Sequence, residues 1–168
     1  LVVERHGLVL DHGALKVLPD IPASEPVDVV LRTTILRFVR LISGEANAGL
    51  DYLAGRLEIE GDALLALALG GIFKVPGTDL VAVDPTALDP IDVATCLKGV
   101  SAEHLRGVMA SGFRPVVLDE IFRRLPDFVS VRRAARVDLT IGFRLVGAGD
   151  GGIDRYVVRV SRRSEEHT

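Results

Sequence analysis

Apolar residues change their spacing several times along this chain, and each change marks an expected element. Leu1–Leu10 and Ala14–Leu18 are rich in Val and Leu, and Asp11-His12-Gly13 between them has the composition of a hairpin turn. Pro19–Pro26 holds three prolines and no period, so it reads as a loop. Val27–Thr33 sets Val27, Val29 and Leu31 on one face, the two-residue period of a strand. From Ile35 the period lengthens. Ile35, Phe38, Val39 and Ile42 make one helical stripe, with Arg37 and Arg40 opposite. Asn47–Ala54 predicts a short second helix that stops at Gly55. Leu57 and Ile59 alternate with Glu58 and Glu60, as in a half-buried strand. Asp62 is placed to cap the next helix, its carboxylate accepting from the free amides of the first turn.

That helix, Ala63–Phe73, is apolar on nearly every face, which demands burial on every face. A small protein has little interior to supply it. The helix is therefore an ordinary core helix, is sandwiched in an interface, or lines an apolar cavity. Gly70-Gly71 weakens its last turn by roughly 1 kcal/mol per Gly relative to Ala.

After it, Pro76–Pro90 breaks the pattern with Gly-Thr-Asp and Asp-Pro punctuation, the composition of a linker. Ser101-Ala102-Glu103-His104 opens a helix with a modest capping signal. Pro115 fits a helix's first turn, Val116, Val117, Ile121 and Leu125 follow at helical spacing, and Pro126 closes it. Val137–Val146 alternates most cleanly of all, and Gly147–Gly152 turns it into a partner strand, Tyr156–Val160. Strands and helices alternate without an internal repeat, so the expected class is a mixed α/β fold of the α+β type.

Composition narrows the function classes. At 168 residues, 48% apolar and 26% charged, the chain can bury a sizeable core and is not disordered. A net charge of −3 provides no field for nucleic acid. A single cysteine, Cys96, allows no internal disulfide or cysteine-cluster metal site and suits a reducing, cytoplasmic setting. No apolar run reaches the roughly 20 residues of a membrane span. The chain starts at Leu1, and Arg163–Thr168 matches one reading frame of a widely used sequencing adapter, so 162–168 is expected to be a non-native tail.

Enzyme-like motifs are sparse. Arg5-His6-Gly7 after an apolar strand resembles the nucleophile segment of histidine phosphatases, but Leu8 replaces their following Glu or Gln and no second Gly-His segment follows. His6 and His12 lack a carboxylate cluster beyond Asp11, which is poor metal spacing. Gly147–Gly152 joins two strands and opens no helix, so it is a hairpin turn and not a phosphate cradle. Cys96 has no adjacent base and reads as a small core residue. Arg123-Arg124 and Arg132-Arg133 are basic pairs suited to solvent, or to transient contact with an acyl phosphate or a membrane surface.

One junction is more specific. Gly55-Arg56-Leu57-Glu58-Ile59-Glu60-Gly61-Asp62, set between the Val27–Ser43 strand and helix and the apolar helix, resembles the second half of a sterol-carrier-protein-2-like (SCP2-like) lipid-binding domain. Ile121-Phe122-Arg123-Arg124-Leu125-Pro126 with the following hairpin resembles the first half, so the halves stand in reversed order. The resemblance implies a mixed, mostly antiparallel sheet of about five strands packed on helices around a hydrophobic tunnel. The organisation expected is a C-terminal half at 1–75, a linker with a helix at 76–112, an N-terminal half at 113–161 and the tail. Either two repeats are joined tail to head, or one domain is permuted. In a permuted domain Val137–Val160 pairs with the N-terminal strands in one closed sheet, since exposed edges invite pairing.

The implied function is non-catalytic binding or transfer of a fatty acyl chain, acyl-coenzyme A or sterol-like lipid, with no cofactor and no metal. The expected lining is Phe38, Ile42, Leu53, Leu57, Ile59, Leu65, Leu69, Phe73, Phe122, Ile141 and Phe143. A ligand-free structural or regulatory module is the alternative, with dimer or tandem-domain contacts, and a phosphatase using His6 is a distant third.

Overall fold

Local sequence signals fix most element boundaries. A computed structural model describes residues 4–68 and 84–161. β1 (His6–Asp11) and β2 (Ala14–Pro19) are joined by the expected tight turn, with His12 at φ +47° and Gly13 at φ +86°. β3 (Val29–Arg32) leads into α1 (Ile35–Ile42), capped by Thr34, and α2 (Ala48–Leu53) is capped by Asn47. β4 (Glu58–Gly61) follows, then α3 (Ala63–Ala68). Asp62 Oδ1 accepts from the amides of Leu64 at 2.9 Å and Leu65 at 3.1 Å, the cap the sequence predicts. The rest of the expected apolar helix, with Leu69 and Phe73, lies outside the described residues.

The second half of the chain continues with α4 (Pro90–Cys96), α5 (Ala102–Ala110) and α6 (Arg114–Arg124). A 3₁₀ turn over Leu125–Phe128 and the short α7 (Val131–Ala134) lead to β5 (Leu139–Leu145) and β6 (Asp154–Val160). The class is α+β, as expected.

The single sheet is not formed among the described residues. Among the described residues the strands make three separate antiparallel pairs, β1 with β2, β3 with β4 and β5 with β6. The expectation that Val137–Val160 completes one closed sheet with the N-terminal strands is therefore corrected. Each strand takes a partner close in sequence, or one brought back by a short helical connection. On the apolar face of β5–β6, Phe143 and Tyr156 pack against Phe122 of α6, while Leu139 and Ile141 stay exposed.

Burial is concentrated where the helices meet. Phe113 is fully buried, and Leu53, Leu67, Leu88 and Val108 are nearly so, with Tyr52, Ala63, Val93 and Val117 around them. The segment read as a linker thus supplies Leu88, Val93 and Val108 to the core. The loop before α4 is held against α2 by Asn47 Nδ2, which donates to the carbonyls of Asp84 at 3.0 Å and Ala87 at 3.2 Å. Gly49 permits that approach, since a Cβ there would stand 2.1 Å from the Pro85 carbonyl oxygen.

Other apolar surface stays open. Leu8 faces Val17 and Leu10 faces Leu15 on one side of β1–β2, and all four are about half exposed. The α1 stripe is open too, Ile35 at 77% and Val39 at 48%. Because Phe113 has no exposed surface, Phe113→Ala should cost about 3–5 kcal/mol. Urea unfolding followed by circular dichroism measures this, and a loss below 1 kcal/mol would show that the helices do not converge on this ring.

Candidate functional site

The expected lining residues divide into two groups. Leu53 and Leu57 are buried in the core and Ile59 packs against it half-buried. Ile42 is half-buried, while Phe38 at 40% and Leu65 at 47% face outward. Phe122 on α6 meets Phe143 on the C-terminal hairpin, and Ile141, two residues earlier on β5, is exposed. The described residues bring these groups to two places and not to one lining.

On the C-terminal side, α6 and the β5–β6 hairpin share an aromatic and polar seam. Phe122 stacks on Tyr156 with ring centres 3.8 Å apart and meets Phe143 edge-on at 5.3 Å. Tyr156 Oη donates to Asp119 Oδ1 at 2.9 Å. Burial raises the phenol pKa to about 12, with the Asp119 carboxylate adding to the shift. Arg114, nine-tenths buried at its side chain, donates from Nε to Asp154 Oδ2 at 2.7 Å. Its Nη2 donates to the carbonyls of Leu145 at 3.4 Å and Val146 at 3.1 Å.

Charge is also buried on the N-terminal side. Asp51 accepts from Arg56 Nε at 2.7 Å and from Arg37 Nη1 at 3.3 Å, fastening α1 and the turn before β4 to α2. Its Oδ2 is buried without a partner among the described residues. His104 Nε2 donates to the Tyr52 carbonyl at 2.9 Å, tying α5 to α2. Burial pushes the Cys96 thiol up, so it is held as a thiol, its Sγ donating to the Val93 carbonyl. His6 is half exposed and 3.7 Å from Glu4, and His12 pairs with Asp11 in the turn. Among the described residues no group of three or more His, Cys, Asp or Glu side chains could hold a metal ion.

Two recesses open on the surface of the described residues. One, of about 330 Å³, lies between α5, the start of α6 and the β5–β6 turn, lined by Ala102, Leu105, Arg106, Met109, Arg114 and Val146. The other, of about 360 Å³, is formed by Ser130, Arg132, Arg133 and Arg136. Arg123 and Arg124 are not part of it: both pair with Glu120, and Arg124 also reaches Asp89. No expected lining residue borders either recess. Spacing along the chain gave no sign of the first one, because Val146 and Gly147 lie more than 30 residues beyond its α5 and α6 walls. The Arg114-Pro115 helix start was the nearest local signal.

Residues 5–74 match the SCP-2 sterol transfer family. Comparison with curated proteins and with solved structures returns no match. The SCP2 match spans β1 to α3 and contains the 55–62 junction on which the resemblance rests. It also contains Asp51, Arg37 and Arg56, so the buried ion pairs are a device inside the SCP2-like segment. The α6–hairpin seam and both recesses lie outside it. Among the described residues no helix is long and apolar enough to cross a membrane.

The Tyr156 phenol has a pH signature. It ionises near 10 in the unfolded chain and near 12 in the fold, so its contribution to stability is complete below pH 10 and is lost from about 10 to 12. Denaturant midpoints below and above this window should show a smaller alkaline loss in Tyr156→Phe than in the unaltered chain. Equal losses would mean that the phenol is not held by Asp119.

Proposed function

We propose that this chain binds a hydrophobic ligand, a fatty acyl chain, acyl-coenzyme A or sterol-like lipid, and stores or passes it on without chemistry. The observation that carries this reading is the match of residues 5–74 to the SCP-2 sterol transfer family. The matched segment supports it physically, since it leaves apolar side chains of β1–β2 and α1 open to solvent. Contiguous exposed apolar surface on a folded protein marks a place where something docks.

In this reading Phe38, Ile42 and Leu65 touch the ligand, Leu53, Leu57 and Ile59 support them from beneath, and Leu69 and Phe73, outside the described residues, are proposed to join the lining. Phe122, Ile141 and Phe143 form the corresponding apolar surface of the C-terminal half. The halves stand in reversed order, Phe113–Val160 being the head of a second SCP2-like unit. Each methylene moved out of water contributes about 0.8 kcal/mol, so an acyl chain is held by burial alone. Transient contact with an anionic membrane surface falls to the recess formed by Arg132, Arg133 and Arg136, whose guanidinium groups have no ion-pair partner among the described residues. Cytoplasmic residence fits the single reduced cysteine.

A ligand-free structural module is the second reading, favoured by the complete burial of Leu53 and Leu57 in a filled core. Displacement separates the two. A fluorescent fatty acid should bind the folded chain at micromolar protein and be displaced by unlabelled fatty acid. No binding by a chain with native circular dichroism removes the lipid reading and leaves the structural one.

A further inference from the structure

Arg114 is an unusual wall for an apolar recess. Its side chain is only 9% exposed, and Asp154 balances its charge. Nε and Nη2 are engaged by Asp154 and the Leu145 and Val146 carbonyls, but Nη1 has no acceptor among the described residues. Guanidinium offers five N–H donors, and the pair on Nη1 is therefore available. Gly147 borders the same recess, and a Cβ there would sit 3.9 Å from Nη1, so the approach to that nitrogen passes bare backbone. Arg106 stands on the same wall, exposed and without an ion-pair partner among the described residues. With Arg114 neutralised by Asp154, the recess carries one uncompensated positive charge. Its remaining walls, Ala102, Leu105, Met109 and Val146, are apolar.

We propose that this recess binds a fatty-acid carboxylate, its oxygens accepting from Arg114 Nη1 and Arg106 and its first methylenes lying on Leu105, Met109 and Val146. A carboxylate offers two acceptor oxygens, one for each guanidinium, and cancels the surplus charge, whereas a sterol or alcohol hydroxyl offers a single uncharged oxygen. The volume of about 330 Å³ is at the small end of ligand sites, enough for a head group and part of a chain. This site lies outside the SCP2-matched segment, and it rests on the lipid-binding reading while adding a preference for head-group charge.

The test is equilibrium dialysis of the full chain with radiolabelled dodecanoate and, separately, dodecanol, at neutral pH. The unaltered chain should bind dodecanoate at least about tenfold more tightly, a preference that weakens with added salt. Arg106→Gln is at an exposed position, so the fold should persist, and it should remove most of that preference. Ala102→Trp, also at an exposed position, should block the recess and weaken dodecanoate several-fold. Circular dichroism checks both variants. Equal binding of acid and alcohol, unchanged in both variants, overturns the head-group site and leaves the lipid-binding reading standing. No binding of either ligand by the folded chain overturns both.

Discussion

Two adjacent residues hold the described structure together. Phe113 has no solvent exposure and fills the point where α2, α3, α4, α5 and α6 bring their apolar faces together. Arg114, next in the chain, points the other way and grips the C-terminal hairpin through Asp154 and two carbonyls. A buried guanidinium without its carboxylate is costly, so the hairpin cannot leave α6 without exposing or orphaning that charge. The core and the hairpin are thus fixed by one peptide unit.

Two-stranded pairs are marginal by themselves, and the described residues form three of them. β5–β6 is supported by α6, where Phe122 lies flat on Tyr156. β3–β4 leads straight into the capped α3 and has Ile59 packed on the core, with Arg32 and Glu60 pairing across the strands. β1–β2 has the least cover: Gly7 is buried beside Ile21, but the opposite face with Leu8, Leu10, Leu15 and Val17 is open. Apolar burial therefore falls unevenly, strongest at the helical centre and weakest on the SCP2-matched hairpin. That unevenness is the physical basis for expecting a hydrophobic partner.

What could be read from the chain was local. The Asp11-His12-Gly13 turn, the α1 boundaries, the Asp62 and Ser101 caps and the 55–62 junction depend on residues within one turn of each other, and each is found where expected. Long-range choices were not legible. Alternation in Val137–Val146 marks an apolar face but not what covers it, and α6 covers only its Phe143 end. Leu88 and Val93 sit among linker-like Pro and Asp residues, which hide their place in the core, whereas Val108 lies in the helix that Ser101 opens. Apolar residues chosen by type as a lining were divided between core and surface, because composition does not say which face of an element is filled. Asp154 lies 40 residues from Arg114, and no spacing rule connects them.

Under the proposed function this chain removes an acyl chain from water. Calorimetric titration with dodecanoate at several temperatures tests it most directly, because burial of apolar surface gives a negative heat-capacity change whatever the polar contacts contribute. Saturable binding whose enthalpy becomes steadily more favourable on warming is expected. Saturable binding with a temperature-independent enthalpy, or no saturable heat from a fully folded chain, would contradict it.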